Sequence, residues 1–169
     1  RPMTDRRVRA AIAIGSNLGD RNAAVRLAFE ALEGLGPVER GPIIETDPVG
    51  PPGQGPYLNS AAVVETTLDA RGVLATLLSI ERSAGRERGR SERWGPRELD
   101  LDLVLFGDAV IDEPGLEVPH PRMQERRFVL EPLAAVWPDA MHPVLGVSVS
   151  ELLSGVAAHP GVGTPGAGR

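Results

Sequence analysis

The sequence of 169 residues contains no cysteine and no lysine, and it has few aromatic residues: one Tyr, two Trp and three Phe. The absence of cysteine excludes disulfides, thiol nucleophiles and cysteine-ligated metal centres. The absence of lysine excludes the lysine of a P-loop and Schiff-base chemistry. No apolar run reaches the roughly 18–20 residues that a membrane helix requires, so we expect a cytoplasmic protein without membrane contacts. The net charge of −5 argues against a general nucleic-acid-binding surface.

Hydrophobic patterning predicts four main strands, at residues 8–14, 38–46, 58–67 and 99–106. Two helices are predicted to begin after the N-cap residues Asp20 and Asp69 and to end near residues 35 and 84. Their predicted inward-facing residues are Ala24, Leu27, Phe29, Ala31, Leu32 and Leu35 in the first helix, and Val73, Leu74, Leu77, Leu78 and Ile80 in the second. A hairpin (110–111 with 116–118), short helical turns within 119–138 and a half-helix at 149–153 should follow.

This β-α-β-β-α-β order predicts an α+β fold, the ferredoxin-like sandwich. Both helices should pack on one face of an antiparallel sheet, which leaves the other face open for a site. Residues 1–154 are expected to form one domain, followed by a Gly-, Ala- and Pro-rich tail at 155–169 with few apolar anchors.

Two carboxylates, Asp100 and Asp102, occur on the strongest predicted strand. Residues i and i+2 of a strand point to the same face, so both carboxylates should project together, opposite Leu99, Leu101, Leu103 and Leu105. Carboxylates this close repel each other unless a cation lies between them, and hard oxygen ligands suit Mg²⁺. The alternative is a pair of solvated acids at a strand end.

Six of the 18 arginines lie between Arg82 and Arg97, immediately before these carboxylates. Guanidinium groups bind phosphate oxygens in a planar, bidentate geometry. Arginines next to paired carboxylates are typical of metal-assisted phosphoryl transfer. Two alternatives stay open: a solvated loop paired with neighbouring glutamates, or a non-catalytic ferredoxin-like module that binds nucleic acid through this loop.

Several scarce residue types occupy loop positions. Tyr57 follows a segment (47–56) that holds four Pro and three Gly, and Asn59 comes two residues later. Trp94 lies among the arginines, and Phe128 follows two more arginines. An aromatic ring can stack on a flat heterocycle while an amide reads its edge. Tyr57 and Phe128 could equally be core residues, and His120 could be a structural histidine.

In this order along the chain, four segments resemble the 6-hydroxymethyl-7,8-dihydropterin pyrophosphokinase family of folate biosynthesis. They are Ala-Ile-Ala-Ile-Gly-Ser-Asn-Leu-Gly-Asp at 11–20, Tyr-Leu-Asn at 57–59, Arg-Trp-Gly-Pro-Arg-Glu-Leu-Asp-Leu-Asp at 93–102, and Val-Pro-His-Pro at 118–121. The resemblance runs from about residue 8 to 138. It implies transfer of the β,γ-pyrophosphoryl group of ATP to the pterin hydroxymethyl oxygen, with release of AMP.

The resemblance also implies the site residues. Asp100 and Asp102 would hold two Mg²⁺ ions, and Arg86, Arg93 and Arg97 would complete the catalytic set. Pterin would be bound by Thr46, Val49, Tyr57, Asn59, Trp94 and Phe128. ATP would be bound by Glu81, Arg86, Arg88, Arg93, Arg97, Leu103, His120 and Arg126. We expect a monomer that binds pterin and ATP but no nucleic acid, either alone or as part of a longer folate-pathway polypeptide.

Overall fold

The computed structural model describes residues 3–17, 19–47, 56–87 and 99–156. The strands are β1 (Met3–Ser16), β2 (Val38–Arg40), β3 (Ile44–Thr46), β4 (Tyr57–Leu68), β5 (Asp100–Phe106), β6 (Ile111–Glu113) and β7 (Leu116–Val118). The α-helices are α1 (Arg21–Leu32), α2 (Ala70–Glu87), α3 (Arg127–Val136) and α4 (Val149–Gly155). Short 3₁₀ turns cover Glu33–Leu35 and Met123–Glu125.

The main sheet has the strand order β2-β4-β1-β5, and β3 pairs with the same edge of β4 as β2 does. All of these pairings are antiparallel. The two segments β2 and β3 together take the place of the second strand of a β-α-β-β-α-β unit. The ferredoxin-like prediction is therefore confirmed, and the predicted hairpin is also present as the separate β6-β7 sheet.

Hydrophobic residues form two clusters, one on each face of the sheet. The first joins the inward side chains of α1 and α2 to alternate residues of the strands, among them Ile12, Val64 and Leu101. The second joins α3 and α4 to the opposite face, where Val63 and Leu130 are buried. The expectation of an open second face is thus wrong in part. The predicted short helical turns include a ten-residue helix whose apolar side covers much of that face.

The helix ends follow local chemistry. The Asp20 side chain accepts a hydrogen bond from the Ala23 amide at 3.1 Å, and Asp69 accepts one from Gly72 at 2.8 Å, as expected of N-caps. The predicted inward positions Leu27 and Leu78 are wrong: they are 36% and 43% exposed. Each lies one position away from the buried stripe, because the helices turn their Ala28 and Leu77 positions to the sheet instead.

One helix boundary and one strand register also differ from the prediction. Helix α2 continues through residues 85–87, which were expected to be loop. The register between β1 and β5 shifts between Ala11 and Ile12, so Leu105 faces the second cluster rather than the first. A β-bulge of this kind reverses the alternation beyond it. None of the helices in the described part of the chain has the length and apolar character needed to cross a membrane.

Candidate active site

Residues of three neighbouring strands form two rows across the second face of the sheet. Gly15 of the central strand β1 pairs with Asn59 on one side and with Asp100 on the other. Two residues earlier in β1, Ala13 lies opposite Asp102. Because paired residues point to the same face, Asn59 and both carboxylates share a surface. With strands about 4.8 Å apart, Asn59 and Asp100 are separated by about 10 Å across the glycine.

A cavity of about 110 Å³ opens over these rows. Its walls come from β1, β4, β5 and the beginning of α3, and the lining residues are Ala13, Ile14, Gly15, Tyr57, Asn59, Ser60, Asp100, Asp102, Arg126, Phe128 and Val129. Typical small-molecule sites measure roughly 300–1,000 Å³, so the described residues form only part of a surface for two substrates.

The amide and the two aromatic rings lie on the β4 side of this cavity. Asn59 is 2% exposed, and its Nδ2 donates to Thr46 Oγ1 at 2.7 Å. This bond spans β3 and β4 and fixes the orientation of the amide. Tyr57 is partly buried, whereas Phe128 is 7% exposed and belongs to the second hydrophobic cluster. Phe128 is therefore both a core residue and part of the cavity wall.

The carboxylates lie on the β5 side. Asp100 and Asp102 project from the face opposite Leu101, whose side chain is buried under the helices. The backbone N–H of Leu101 donates to Glu81 Oε2 at 2.7 Å, so α2 holds the strand at the residue between the two aspartates. Glu81, which was predicted to bind ATP, therefore also positions β5, a role that the sequence did not show.

The donor set fits Mg²⁺. Within the described ranges, no three His, Cys, Asp or Glu side chains cluster as a complete metal site. Two carboxylates on one face are nevertheless the kind of protein contribution that Mg²⁺ accepts when substrate phosphates and water supply the remaining oxygens.

A cationic group and an imidazole flank Asp102. Burial lowers the pKa of the Arg126 guanidinium, and nearby Arg122 adds to this effect, while Asp102 opposes it. The Nε of Arg126 is buried without a hydrogen-bond partner in the described part of the protein, and its Cζ lies 5.6 Å from the centre of the Phe128 ring. A cation held this way has capacity for an anionic ligand.

Burial also lowers the pKa of His120, with Asp102 opposing and Arg126 reinforcing the effect. The Nδ1 atom accepts the Arg122 backbone N–H at 3.1 Å, so the neutral ring carries its proton on Nε2. The backbone N–H of His120 donates to the Val104 carbonyl at 2.9 Å, which joins this segment to β5.

Several predicted site residues are not brought to the cavity. The Leu103 side chain is buried in the first cluster, on the face of the sheet that α1 and α2 cover, so only its backbone remains for a contact with ATP. For Arg86, the structure describes only the backbone, in the last turn of α2. The predictions for Val49, Arg88, Arg93, Trp94 and Arg97 lie outside the described residues.

Sequence reasoning missed Gly15 and Ala13 as site residues. A Cβ atom on Gly15 would lie 3.3 Å from Asn59 Oδ1 and 3.9 Å from Tyr57 Cδ2. Small residues in the central strand thus keep the middle of the cavity free. The only sequence signal was small residues at alternate positions of a buried strand, and its meaning depends on the register of both neighbours.

Comparisons with known proteins identify the family. Residues 11–138 match the family described as 7,8-dihydro-6-hydroxymethylpterin-pyrophosphokinase (HPPK). A 2-amino-4-hydroxy-6-hydroxymethyldihydropteridine pyrophosphokinase of Pseudomonas aeruginosa is 42% identical over 150 residues, which are 86% of this chain and 90% of the relative. The enzyme of the same name from Bacillus subtilis is 45% identical over 130 residues, 75% of this chain and 77% of that protein.

The fold is shared with longer proteins. A crystal structure of Plasmodium falciparum HPPK-DHPS with pteroate superposes with a TM-score of 0.62 at 16% identity, over 88% of this chain and 43% of the other. The family match covers most of the chain, and the identity of the bacterial relatives extends over most of their length. The chain therefore belongs to the 7,8-dihydro-6-hydroxymethylpterin-pyrophosphokinase family.

Proposed function

We propose that this chain transfers the pyrophosphoryl group of ATP to the hydroxymethyl oxygen of 6-hydroxymethyl-7,8-dihydropterin, with release of AMP, in folate biosynthesis. One observation carries the proposal beyond family membership. A buried amide beside two aromatic rings and a pair of carboxylates beside a half-buried arginine line the same cavity. The first group suits a flat heterocycle, and the second suits a metal-bound phosphate chain. No observation favours the nucleic-acid-binding alternative.

The pterin lies on the β4 side of the cavity, between the rings of Tyr57 and Phe128. Asn59 reads its edge by hydrogen bonding, and the bond from Asn59 to Thr46 leaves the amide in one orientation. Backbone groups near Thr46 and Val49 complete the edge recognition that the family resemblance implies.

The phosphates of ATP lie on the β5 side. Asp100 and Asp102 would hold two Mg²⁺ ions, which would neutralise negative charge on the phosphates and on the leaving AMP. Arg126 contributes a half-buried guanidinium whose Nε is buried, and His120 offers Nε2–H as a hydrogen-bond donor. Arg86, Arg88, Arg93 and Arg97 add phosphate contacts, and Trp94 contributes a further ring against the pterin, as the resemblance implies.

The chemical step is a direct displacement. The pterin hydroxyl oxygen attacks the β-phosphorus of ATP, the bond from that phosphorus to the oxygen bridging it to the α-phosphate breaks, and AMP leaves. The hydroxyl loses its proton in the same step. The chain's own residues contribute alignment of the two substrates and stabilisation of charge, the two largest sources of catalysis in phosphoryl transfer.

We propose that the catalytic unit is a monomer, with one pyrophosphokinase domain at residues 1–154 and a Gly-, Ala- and Pro-rich tail at 155–169. Helix α4 ends at Gly155, and Arg127 donates to the Val156 carbonyl at 3.3 Å, so a truncation that tests the tail should end after residue 156. Light scattering of the purified protein tests the monomer.

The proposed function is tested by supplying ATP, Mg²⁺ and the reduced hydroxymethylpterin and measuring AMP. Asp100→Asn and Asp102→Asn should each lower kcat at least about a hundredfold, the scale of losing a charge-stabilising contact in the transition state. Asp112→Asn, which removes an exposed carboxylate from β6, is the matched control and should leave kcat unchanged. Formation of ADP instead of AMP, or normal turnover in either strand variant, would contradict the proposal.

A further inference from the structure

We infer that Arg21 is a positioning residue for pterin binding: its guanidinium ties the end of β3 to the beginning of β4 and so sets the position of the Thr46–Tyr57 pair. This inference rests on the proposed function, since it concerns the same pterin site. Arg21 does not line the cavity, and it acts only through the residues that do.

The contacts of Arg21 join three elements. Arg21 is the first residue of α1, and its Nη1 donates to the Pro56 carbonyl at 2.7 Å and to Glu45 Oε2 at 3.2 Å. Pro56 directly precedes Tyr57, and Glu45 directly precedes Thr46. Thr46 and Tyr57 are register partners across β3 and β4. One guanidinium therefore holds the neighbours of both residues.

The strand at this corner of the sheet is short. Strand β3 has only three residues, and its ladder with β4 covers only Ile44–Thr46 and Tyr57–Asn59. A three-residue edge strand is near the shortest that occurs in globular proteins, so side-chain links contribute much of its order. The hydrogen bond from Asn59 to Thr46 lies inside the pterin site. The hydrogen bond from Arg21 to the Pro56 carbonyl lies outside it.

The two contacts of Arg21 differ in strength. The Arg21 side chain is 28% exposed, whereas its partner Glu45 is 55% exposed. An ion pair this exposed contributes little, so the shorter, charge-assisted bond to the Pro56 carbonyl is the stronger arm.

The chain supplies a matched control. Arg71 makes the same two kinds of contact at another place: its Nε donates to Glu113 Oε1 at 3.2 Å and its Nη2 to the Pro114 carbonyl at 2.8 Å. It joins α2 to the β6-β7 hairpin, away from the residues of the pterin cavity. Arg71→Gln thus removes an equivalent pair of bonds without touching β3.

The experiment compares Arg21→Gln, Arg21→Lys and Arg71→Gln with the wild type. Calorimetry gives the Kd of the pterin in the presence of Mg²⁺ and a non-hydrolysable ATP analogue, and separately the Kd of the analogue. Arg21→Gln should raise the pterin Kd about tenfold, as expected for a lost charge-assisted bond, and change the Kd of the analogue less than about twofold. Arg21→Lys, which keeps the charge and can still donate but lacks the planar guanidinium, should recover most of the affinity and leave the pterin Kd about two- to threefold above that of the wild type.

A second readout needs no substrate. Tyr57 is the only tyrosine of the chain, so the NMR signal of a labelled tyrosine ring reports this corner alone. The signal should shift in ligand-free Arg21→Gln and stay unchanged in Arg71→Gln. If wild-type protein fails to bind pterin, the proposed function is wrong, and the tyrosine signal still tests the role of Arg21.

Equal pterin affinity in Arg21→Gln and wild type, or equal losses in Arg21→Gln and Arg71→Gln, would overturn the inference. If Arg21→Gln does not fold, Arg21→Lys is compared with Arg71→Lys. A pterin Kd raised at least about twofold only in Arg21→Lys supports the inference, and equal values overturn it.

Discussion

Replacing Thr46 by valine isolates the bond that orients the pterin-reading amide. Valine keeps the shape of threonine but cannot accept the hydrogen bond that Asn59 Nδ2 makes at 2.7 Å. Asn59 is 2% exposed, so water does not readily replace the lost acceptor. A buried donor deprived of its partner costs about 1–3 kcal/mol. We expect about 1–2 kcal/mol of this to appear in pterin binding, which is about a five- to thirtyfold rise in Kd.

The assay is calorimetric titration of pterin into protein that holds Mg²⁺ and a non-hydrolysable ATP analogue. Thr46→Ser is the control, because serine keeps the accepting hydroxyl and loses only a methyl group. It should bind pterin within about fourfold of the wild type, since losing one partly buried methyl group costs less than about 0.8 kcal/mol. Identical Kd values for the valine and serine variants would refute the reasoning, because the hydroxyl would then contribute nothing to recognition.

Three further predictions concern single side chains. Tyr57→Ala should weaken pterin binding by about 1–3 kcal/mol with little effect on the melting temperature. Phe128→Ala should weaken pterin binding too, and it should also lower the free energy of unfolding by about 3–5 kcal/mol, because Phe128 is a core residue. Equal melting temperatures of the two variants would contradict this. Glu81→Leu should lower both kcat and stability, since the Leu101 N–H loses its acceptor, while Glu81→Gln should retain most of both in the same two measurements. Burial lowers the pKa of His142, whose Nδ1 accepts hydrogen bonds from two loop N–H groups. Protonation of His142 therefore favours the unfolded state, and the free energy of unfolding should fall as the pH drops below about 6.5. His142→Asn keeps an acceptor and should reduce that pH dependence in urea unfolding; an unchanged slope would exclude His142 as a source.

The sequence sufficed for the order of the main elements and for the residues that carry chemistry. Alternating apolar runs and aspartate N-caps are local signals, so the strands and the beginnings of α1 and α2 could be predicted from neighbours within a few residues. The spacing of Asp100 and Asp102 likewise placed both carboxylates on one face, because the period of a strand is fixed by its backbone. Residue type and position singled out the amide and the two rings, the family resemblance assigned them to the pterin, and all three line the cavity.

What depends on contacts between distant segments could not be predicted. Leu27 and Leu78 are apolar residues in helices, yet only the packing of α1 and α2 on the sheet decides that they face outward. The bulge that turns Leu105 to the other face exists only in the pairing of β5 with β1.

For the site as well, the sequence identified the residues and the tertiary structure decided their arrangement. The sequence named Asn59, Asp100 and Asp102 as separate residues of two distant segments. The tertiary structure decided that both segments flank Gly15, that Glu81 holds the strand between the aspartates, and that Arg21 joins the ends of β3 and β4. Each of these facts is a strand register or a hydrogen bond between residues at least 20 positions apart. Such contacts are set by how whole elements pack, and no local pattern of residues encodes them.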